Sequence, residues 1–415
     1  MRILSARQAE ACVRKLERRG APGLTRVEKP VRRIVDDVRK NGDRALRRYA
    51  EKLDGLKPRA PLAVPVSAMK LAWESVSEDF RSALRDAAAN IRRYCEWQKP
   101  EEWRRTSLPG ISLGQMLRPL DSVGCYVPGG RYPLPSTMLM TVIPAQVAGV
   151  ERICVVSPRP ATATLATAFF LGVREFYAIG GAQAIAALAY GTKSVPRVDK
   201  IVGPGNLYVT AAKKMVAFDC SIDFLAGPTE AVIVSHAGRP EFIAADLVAQ
   251  AEHDPETLAV FVTTSKSLAE AVAREVRSAA AGNEIARTSL ARNGAILVAG
   301  SRAQAMEFAN RIACEHITVE EEDVPLVRHA GSIFVGDYSA QAAGDYASGP
   351  NHVLPTGAAA RYRGGLSVTD FVKTISLQRL SRQGLDRIAG IITCLAEAEG
   401  LAGHAESIRV RSSHA

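Results

Sequence analysis

The 415-residue chain contains no CxxC pair, and its seven cysteines (Cys12, Cys95, Cys125, Cys154, Cys220, Cys314 and Cys394) are scattered. An odd, dispersed set argues for reduced thiols in a cytoplasmic protein. It argues against a disulfide framework or a cysteine zinc site. No apolar run approaches membrane-spanning length. The opening MRILSARQAEACVRKLERRG lacks the apolar core of a signal peptide, and its arginines give only weak support to a transit peptide. There is no GxGxxG fingerprint, no Walker lysine loop and no HExxH. A dinucleotide or a metal would therefore be held in a less common way.

Aromatic residues make up only 6% of the chain, although the formal net charge is +10. Nucleic-acid binding would want a basic patch with stacking aromatics or a known module. Neither is present, so no nucleic-acid partner is expected. Much of the basic excess lies near the N-terminus, as in KPVRRIVDDVRKNGDRALRRYAEKLDG, where interleaved acids at helical spacing read as solvated helix faces. Such a surface still suits an anionic cofactor.

What is present is an α/β pattern. Residues 1 to about 110 read as mostly helical, with 1–28 as an N-terminal helical segment. Short β-branched or aromatic runs then alternate with helical stretches: SVGCYVPGG, RICVVSP, EFYAIGG, DKIVGPGN, and later EAVIVSH, LAVFVTT, GAILVAG and GSIFVGDY. This alternation predicts βα units and mainly parallel sheets. Two α/β domains are expected, one over 123–234 and one over 29–122 plus 235–375, with 376–415 as a helical tail. So short a tail cannot hold much core of its own and should pack on the body or on another subunit.

Four polar clusters stand out. In DLVAQAEHD, Asp246, Gln250 and His253 project from one helix face just before Pro255 stops the helix. In CEHITVEEED, Glu315 and His316 are adjacent, a carboxylate beside a proton shuttle. GDYASGPNHVLPTG crowds Asp345, Ser348, Asn351 and His352 into one loop, and EAEGLAGHAESIRVR sets Glu399 and His404 around two glycines. The glycine turns GGAQ and GPGN each open a helix, where backbone amides favour anions. Each feature alone has a bland reading: a polar rim, a helix-end histidine, a tight turn, or a strand-to-helix connection. Gln250, His253, Asp345 and His404 together would suit a divalent metal such as zinc, but spacing alone cannot assemble them. His236, His329 and the near-terminal His414 have duller surroundings, and His414 reads as a frayed end.

Taken in order, VGCYVPGG, GGAQAIAALAYGT, KIVGPGNLYVTAAKK, DFLAGPTE, AQAEHD, CEHI, GDYASGPNHVLPT, GGLSVTDF and AEGLAGHAESIRVR closely resemble the histidinol dehydrogenase family. The resemblance runs from about Val31 to Arg411. It implies two incomplete Rossmann-like, aldehyde-dehydrogenase-like α/β domains, and a zinc-containing, NAD-dependent homodimer. The implied reaction is oxidation of L-histidinol through L-histidinal to L-histidine. It implies zinc ligands at Gln250, His253, Asp345 and His404, the last donated across subunits. It also implies a catalytic pair at Glu315 and His316, NAD contacts at Tyr126, Gln183 and Asn206, and substrate contacts at Thr229 and Glu399. The zinc ligands and His316 join those substrate contacts, and His352 has a supporting role. Glu315 is expected to activate water and His316 to accept protons.

Three departures stand out. Thr229 occupies a position where serine is more usual, EHITVE replaces the frequent EHLE, and Pro350 stands where threonine is common. None removes a ligand or an acid or base. The nearest rival is a paralogue acting on another amino- or sulfo-alcohol. A second gives the aldehyde step to Cys125 or Cys314. Others are a zinc hydrolase, or a catalytically silent zinc- or nucleic-acid-binding protein.

Overall fold

The computed structural model describes residues 1–5, 7–20, 24–129 and 132–412; His414 lies outside them. Its strands, in chain order, are β1 (Arg2–Ser5), β2 (Trp103–Leu108), β3 (Ile111–Pro119), β4 (Ser122–Tyr126), β5 (Arg152–Val156), β6 (Glu175–Tyr177), β7 (Lys200–Val202) and β8 (Ser221–Ile222). There follow β9 (Glu230–Val234), β10 (Leu258–Thr263), β11 (Ala295–Val298), β12 (Cys314–Val319), β13 (Ala330–Val335) and β14 (Val372–Leu380). They build a five-stranded sheet in the order β6-β5-β4-β7-β8 and a six-stranded sheet in the order β1-β11-β10-β9-β12-β13. Every pairing in both is parallel. The third sheet, β14-β3-β2, is antiparallel.

The central strands explain why the sheets form. β4, β9 and β10 are buried along their whole length. Helices cover both faces of a parallel sheet, so such strands read as continuous apolar runs rather than alternating ones. The mixed α/β fold with two parallel sheets is as the sequence predicts. Among the described residues no helix is long and apolar enough to cross a membrane.

The packing corrects three expectations. The N-terminal segment is not wholly helical: Arg2–Ser5 pairs with Ala295–Val298 as an edge strand. A four-residue strand whose partner lies at the far end of the chain has no local signature. Residues 29–122 pack chiefly beside the β4–β8 sheet, meeting the 235–375 series through its last part, including Val353 and Phe371. Val31, Val35 and Leu46 share a core with Ile185 and Ile201, and Leu84 and Ile91 share one with Met138 and Val142, all beside the β4–β8 sheet. Helix periodicity says which face is buried but not against what. Finally, Trp103–Leu108, within the stretch expected to be mostly helical, is a strand; it forms a hairpin with β3, which also pairs with Val372–Leu380. The helical tail therefore starts at Arg382, after β14.

Candidate active site

Glu315 and His316 sit at the amino end of β12, and both are buried. Glu315 Oε2 accepts the Glu230 backbone N–H at 3.0 Å, from the neighbouring strand β9. His316 Nδ1 lies 3.7 Å from that carboxylate oxygen, and His316 Nε2 lies 3.5 Å from Asp345 Oδ1. Asp345 Oδ2 accepts from Gln250 Nε2 at 3.1 Å. The helix Pro240–Ala251 ends just after Gln250, and the exposed His253 beyond it is near enough for its charge to act on Asp345. The fold thus gathers Gln250, His253, Glu315, His316 and Asp345 from three separate stretches of chain.

His352 has more to do than the sequence suggests. Its Nδ1 lies 2.7 Å from the Asp345 backbone carbonyl, which can only accept, so Nδ1 carries the proton. Nε2 is then the acceptor for the Thr137 hydroxyl at 3.2 Å.

Ionisation follows from burial and from these neighbours. Burial pushes the Glu315 carboxyl up to about 8, partly opposed by His316. Burial also opposes the His316 imidazolium, but Glu315 and Asp345 outweigh it and hold His316 above its ordinary value. Asp345 is held below the usual carboxylate range: burial acts against its charge, and the surrounding histidines overcome it. Two polar atoms of the cluster are left over. Gln250 Oε1 and His316 Nδ1 are buried without a hydrogen-bond partner. Native interiors leave few such atoms, and each asks for a ligand or an ion.

Glu230, one residue past Thr229, supports Glu315 from beneath. Its side chain accepts from Arg19 Nε at 2.6 Å and Nη2 at 2.5 Å, and from the Gly357 N–H at 3.0 Å. Arg19 also donates to the carbonyls of Ile312 (2.5 Å) and Ala313 (3.4 Å). Ala313 holds a left-handed backbone with φ of 51° immediately before β12. That conformation costs a residue with a Cβ roughly 1–2 kcal/mol. The guanidinium fork pins this bend and so helps fix where β12 begins. Thr229 is half-buried, and its carbonyl accepts from Leu258 N at 2.9 Å.

On the other sheet, Tyr126 ends β4, and its hydroxyl accepts the Gly181 N–H at 3.1 Å. Buried Asp54 accepts from Gly180 N (3.0 Å) and from Gln183 Nε2 (2.9 Å), leaving Gln183 Oε1 buried and unpartnered. Burial raises the Asp54 carboxyl above its ordinary value. At the second turn Gly203 has φ of 110°, and a Cβ there would fall 2.2 Å from the Tyr126 carbonyl, so only glycine fits. Its N–H goes to Asp223, which pairs with buried Lys213. Asn206 Oδ1 caps the next helix by accepting from Tyr208 N and Val209 N. The amides of Gly180, Gly181 and Gly203 are thus already bonded, so these three are not free to cradle a phosphate.

Glu399 and His404 are not brought into the site. Both are exposed on the tail, where the helices Arg382–Ala398 and Ala402–Ser412 pack chiefly on each other. Among the described residues no three His, Cys, Asp or Glu side chains are placed to hold a metal. Within one chain the cluster offers Asp345, His253 and the Gln250 amide oxygen.

The family model for histidinol dehydrogenase matches residues 17–412. The chain belongs to the histidinol dehydrogenase family. It is 48% identical to the histidinol dehydrogenase of Haloarcula marismortui over 94% of each chain. It is 46% identical to that of Methanosarcina barkeri, over 97% of this chain and 96% of the relative. The histidinol dehydrogenase structure from Elizabethkingia anophelis superposes with a TM-score of 0.94 at 32% identity, over 99% of this chain and 98% of that one. An acetylating aldehyde dehydrogenase from Geobacillus thermoglucosidasius shares the fold at a TM-score of 0.50 and 12% identity, over 89% of this chain and 96% of that one.

Placed in the histidinol dehydrogenase family, the chain is an oxidoreductase of histidine biosynthesis. Cys125 and Cys314 are poorly suited to nucleophilic work: burial pushes the Cys125 thiol up to about 12 and the Cys314 thiol well above its ordinary range. Sequence reasoning missed Asp54, Thr137, Glu230 and Arg19. Only Glu230 carried a signal, a charged residue heading the otherwise apolar EAVIV.

Proposed function

We propose that this chain oxidises L-histidinol through L-histidinal to L-histidine with NAD as hydride acceptor, as a zinc-containing homodimer. The observation that carries the reading is the buried Glu315–His316–Asp345–Gln250 cluster, with the Gln250 carbonyl oxygen and His316 Nδ1 unspent. An orphaned amide oxygen beside a low-pKa carboxylate, with His253 near, fits a divalent cation. Gln250, His253 and Asp345 would hold zinc, with His404 of the partner subunit as fourth ligand. The exposed tail supports that arrangement: Ile391, Leu395, Leu401 and Val410 are uncovered there.

When bound, zinc supplies a fixed charge that anchors the substrate nitrogens, and NAD supplies the hydride acceptor. His316 removes the hydroxyl proton in the first oxidation. Glu315 removes a proton from the water that adds to the aldehyde carbon. As water adds, His316 returns its first proton to the former carbonyl oxygen, and it then takes that hydroxyl proton of the hydrate in the second oxidation. Thr229 and Glu399 of the partner subunit contact the substrate, and Tyr126, Gln183 and Asn206 contact NAD.

The test is to incubate the purified protein with L-histidinol and NAD. About two NADH per histidine, lost on chelation and restored by zinc, is the expected outcome. A folded, zinc-loaded dimer that ignores histidinol but turns over another amino- or sulfo-alcohol would overturn the substrate assignment.

A further inference from the structure

The helix Pro135–Ala148 carries Pro144 in its interior. Proline has no N–H, so the carbonyl four residues earlier, that of Met140, loses its intrahelical donor. Asn351 supplies the replacement: its Nδ2 donates to the Met140 carbonyl at 2.6 Å. The other end of the same side chain accepts from Val353 N at 2.8 Å and shapes its own turn. One residue on, His352 joins the Asp345 carbonyl to the hydroxyl of Thr137. Thr137 and Met140 are three apart and share one stripe of the helix. From a second helix, Asn90 Nδ2 donates to the Ala347 carbonyl at 3.0 Å.

The main chain after Asp345 is therefore moored to helices that cover the β4–β8 sheet, while the Asp345 carboxylate faces Gln250 and His316 of the other sheet. We infer that Asn351 is a positioning residue for Asp345: it docks on the carbonyl that Pro144 frees, and this dock sets where the carboxylate meets Gln250 and His253. The inference rests on the zinc reading above and deepens it.

Asn351→Asp keeps the turn acceptor but replaces the donating amide with an oxygen. In full-length protein, zinc affinity measured by competition with a chromogenic chelator should weaken about 10–100-fold, as for lost outer supports of metal ligands. The thermal midpoint should fall with it, because the Met140 carbonyl loses its donor. Adding Pro144→Ala gives residue 144 an N–H for that carbonyl. The midpoint should then recover while the zinc affinity stays weak. Recovery of both would show that Asn351 merely satisfies a carbonyl and would overturn the inference. So would an N351D protein that binds zinc as tightly as wild type. If N351D does not fold, Pro144→Ala alone puts a competing donor on the dock. Its zinc affinity should fall about tenfold at an undiminished midpoint, and an unchanged affinity would be equally fatal. A wild-type protein with no zinc affinity would instead sink the metal reading itself.

Discussion

Two sets of candidate residues could hardly be set more differently. Glu315, His316, Asp345 and Gln250 are packed, with polar atoms 3.1–3.7 Å apart along the chain of contacts, and supported from both sheets. Glu399 and His404 stand in solvent on a tail that touches little but itself. Pre-organisation explains the first set: groups held by packing need no ordering when substrate arrives. The second set lacks this, and on the dimer proposed above its residues would act only once another surface orders them. The contrast teaches that a motif can identify a site residue without saying whether its own chain completes the site.

The largest expected effect tests the packed half. Glu315→Gln should slow histidinal oxidation about 10²–10⁴-fold while leaving the first hydride step largely intact. Comparison of the two half-reactions checks this, and equal loss in both would remove Glu315 from the water step. In wild type the base must be ionised. Burial pushes Glu315 up to about 8, so its ionised fraction, and with it the histidinal step, should rise with pH and level off above about 8.

A mixing experiment tests the boundary between the halves. His404→Ala and Glu315→Gln should each be nearly inactive in the full reaction. Refolded together, half of the random dimers would carry one intact site, returning about a quarter of wild-type activity. No recovery would mean that the tail serves its own chain.

The smallest effect lies on the cofactor side. Asp54→Ala removes the carboxylate oxygen that accepts from both Gly180 and Gln183. The KM for NAD should rise about fivefold, the worth of one net hydrogen bond, at nearly unchanged kcat. A change in kcat alone would argue that Asp54 acts elsewhere.

Much of this was legible before any fold was known. The parallel sheets were readable from apolar runs ended by glycine or proline, and the packed candidate residues from motifs read in order. Asp54 was not, because an aspartate before a glycine at a helix end looks like ordinary punctuation. Arg19 was lost in ERRG, one arginine among many, because its partners Glu230 and Ile312 lie far along the chain. The amides of Gly180, Gly181 and Gly203 misled for the same reason. A strand-to-helix turn advertises amides, but only tertiary structure tells whether Asp54, Tyr126 or Asp223 has already taken them. Side-chain partners distant in sequence, more than element type, were the missing information.

The edge strand β1 has a consequence for how the protein is made. Arg2–Ser5 is made long before its partner Ala295–Val298, which follows roughly 15–60 s later at ordinary elongation rates. The β4–β8 sheet, complete by Ile222, has all its strands well before then. A segment made early is therefore among the last to find its place. When it docks, it brings Arg19 to Glu230 and to the bend before β12. Newly made chains should stay catalytically silent until this early-made strand has returned to complete the six-stranded sheet.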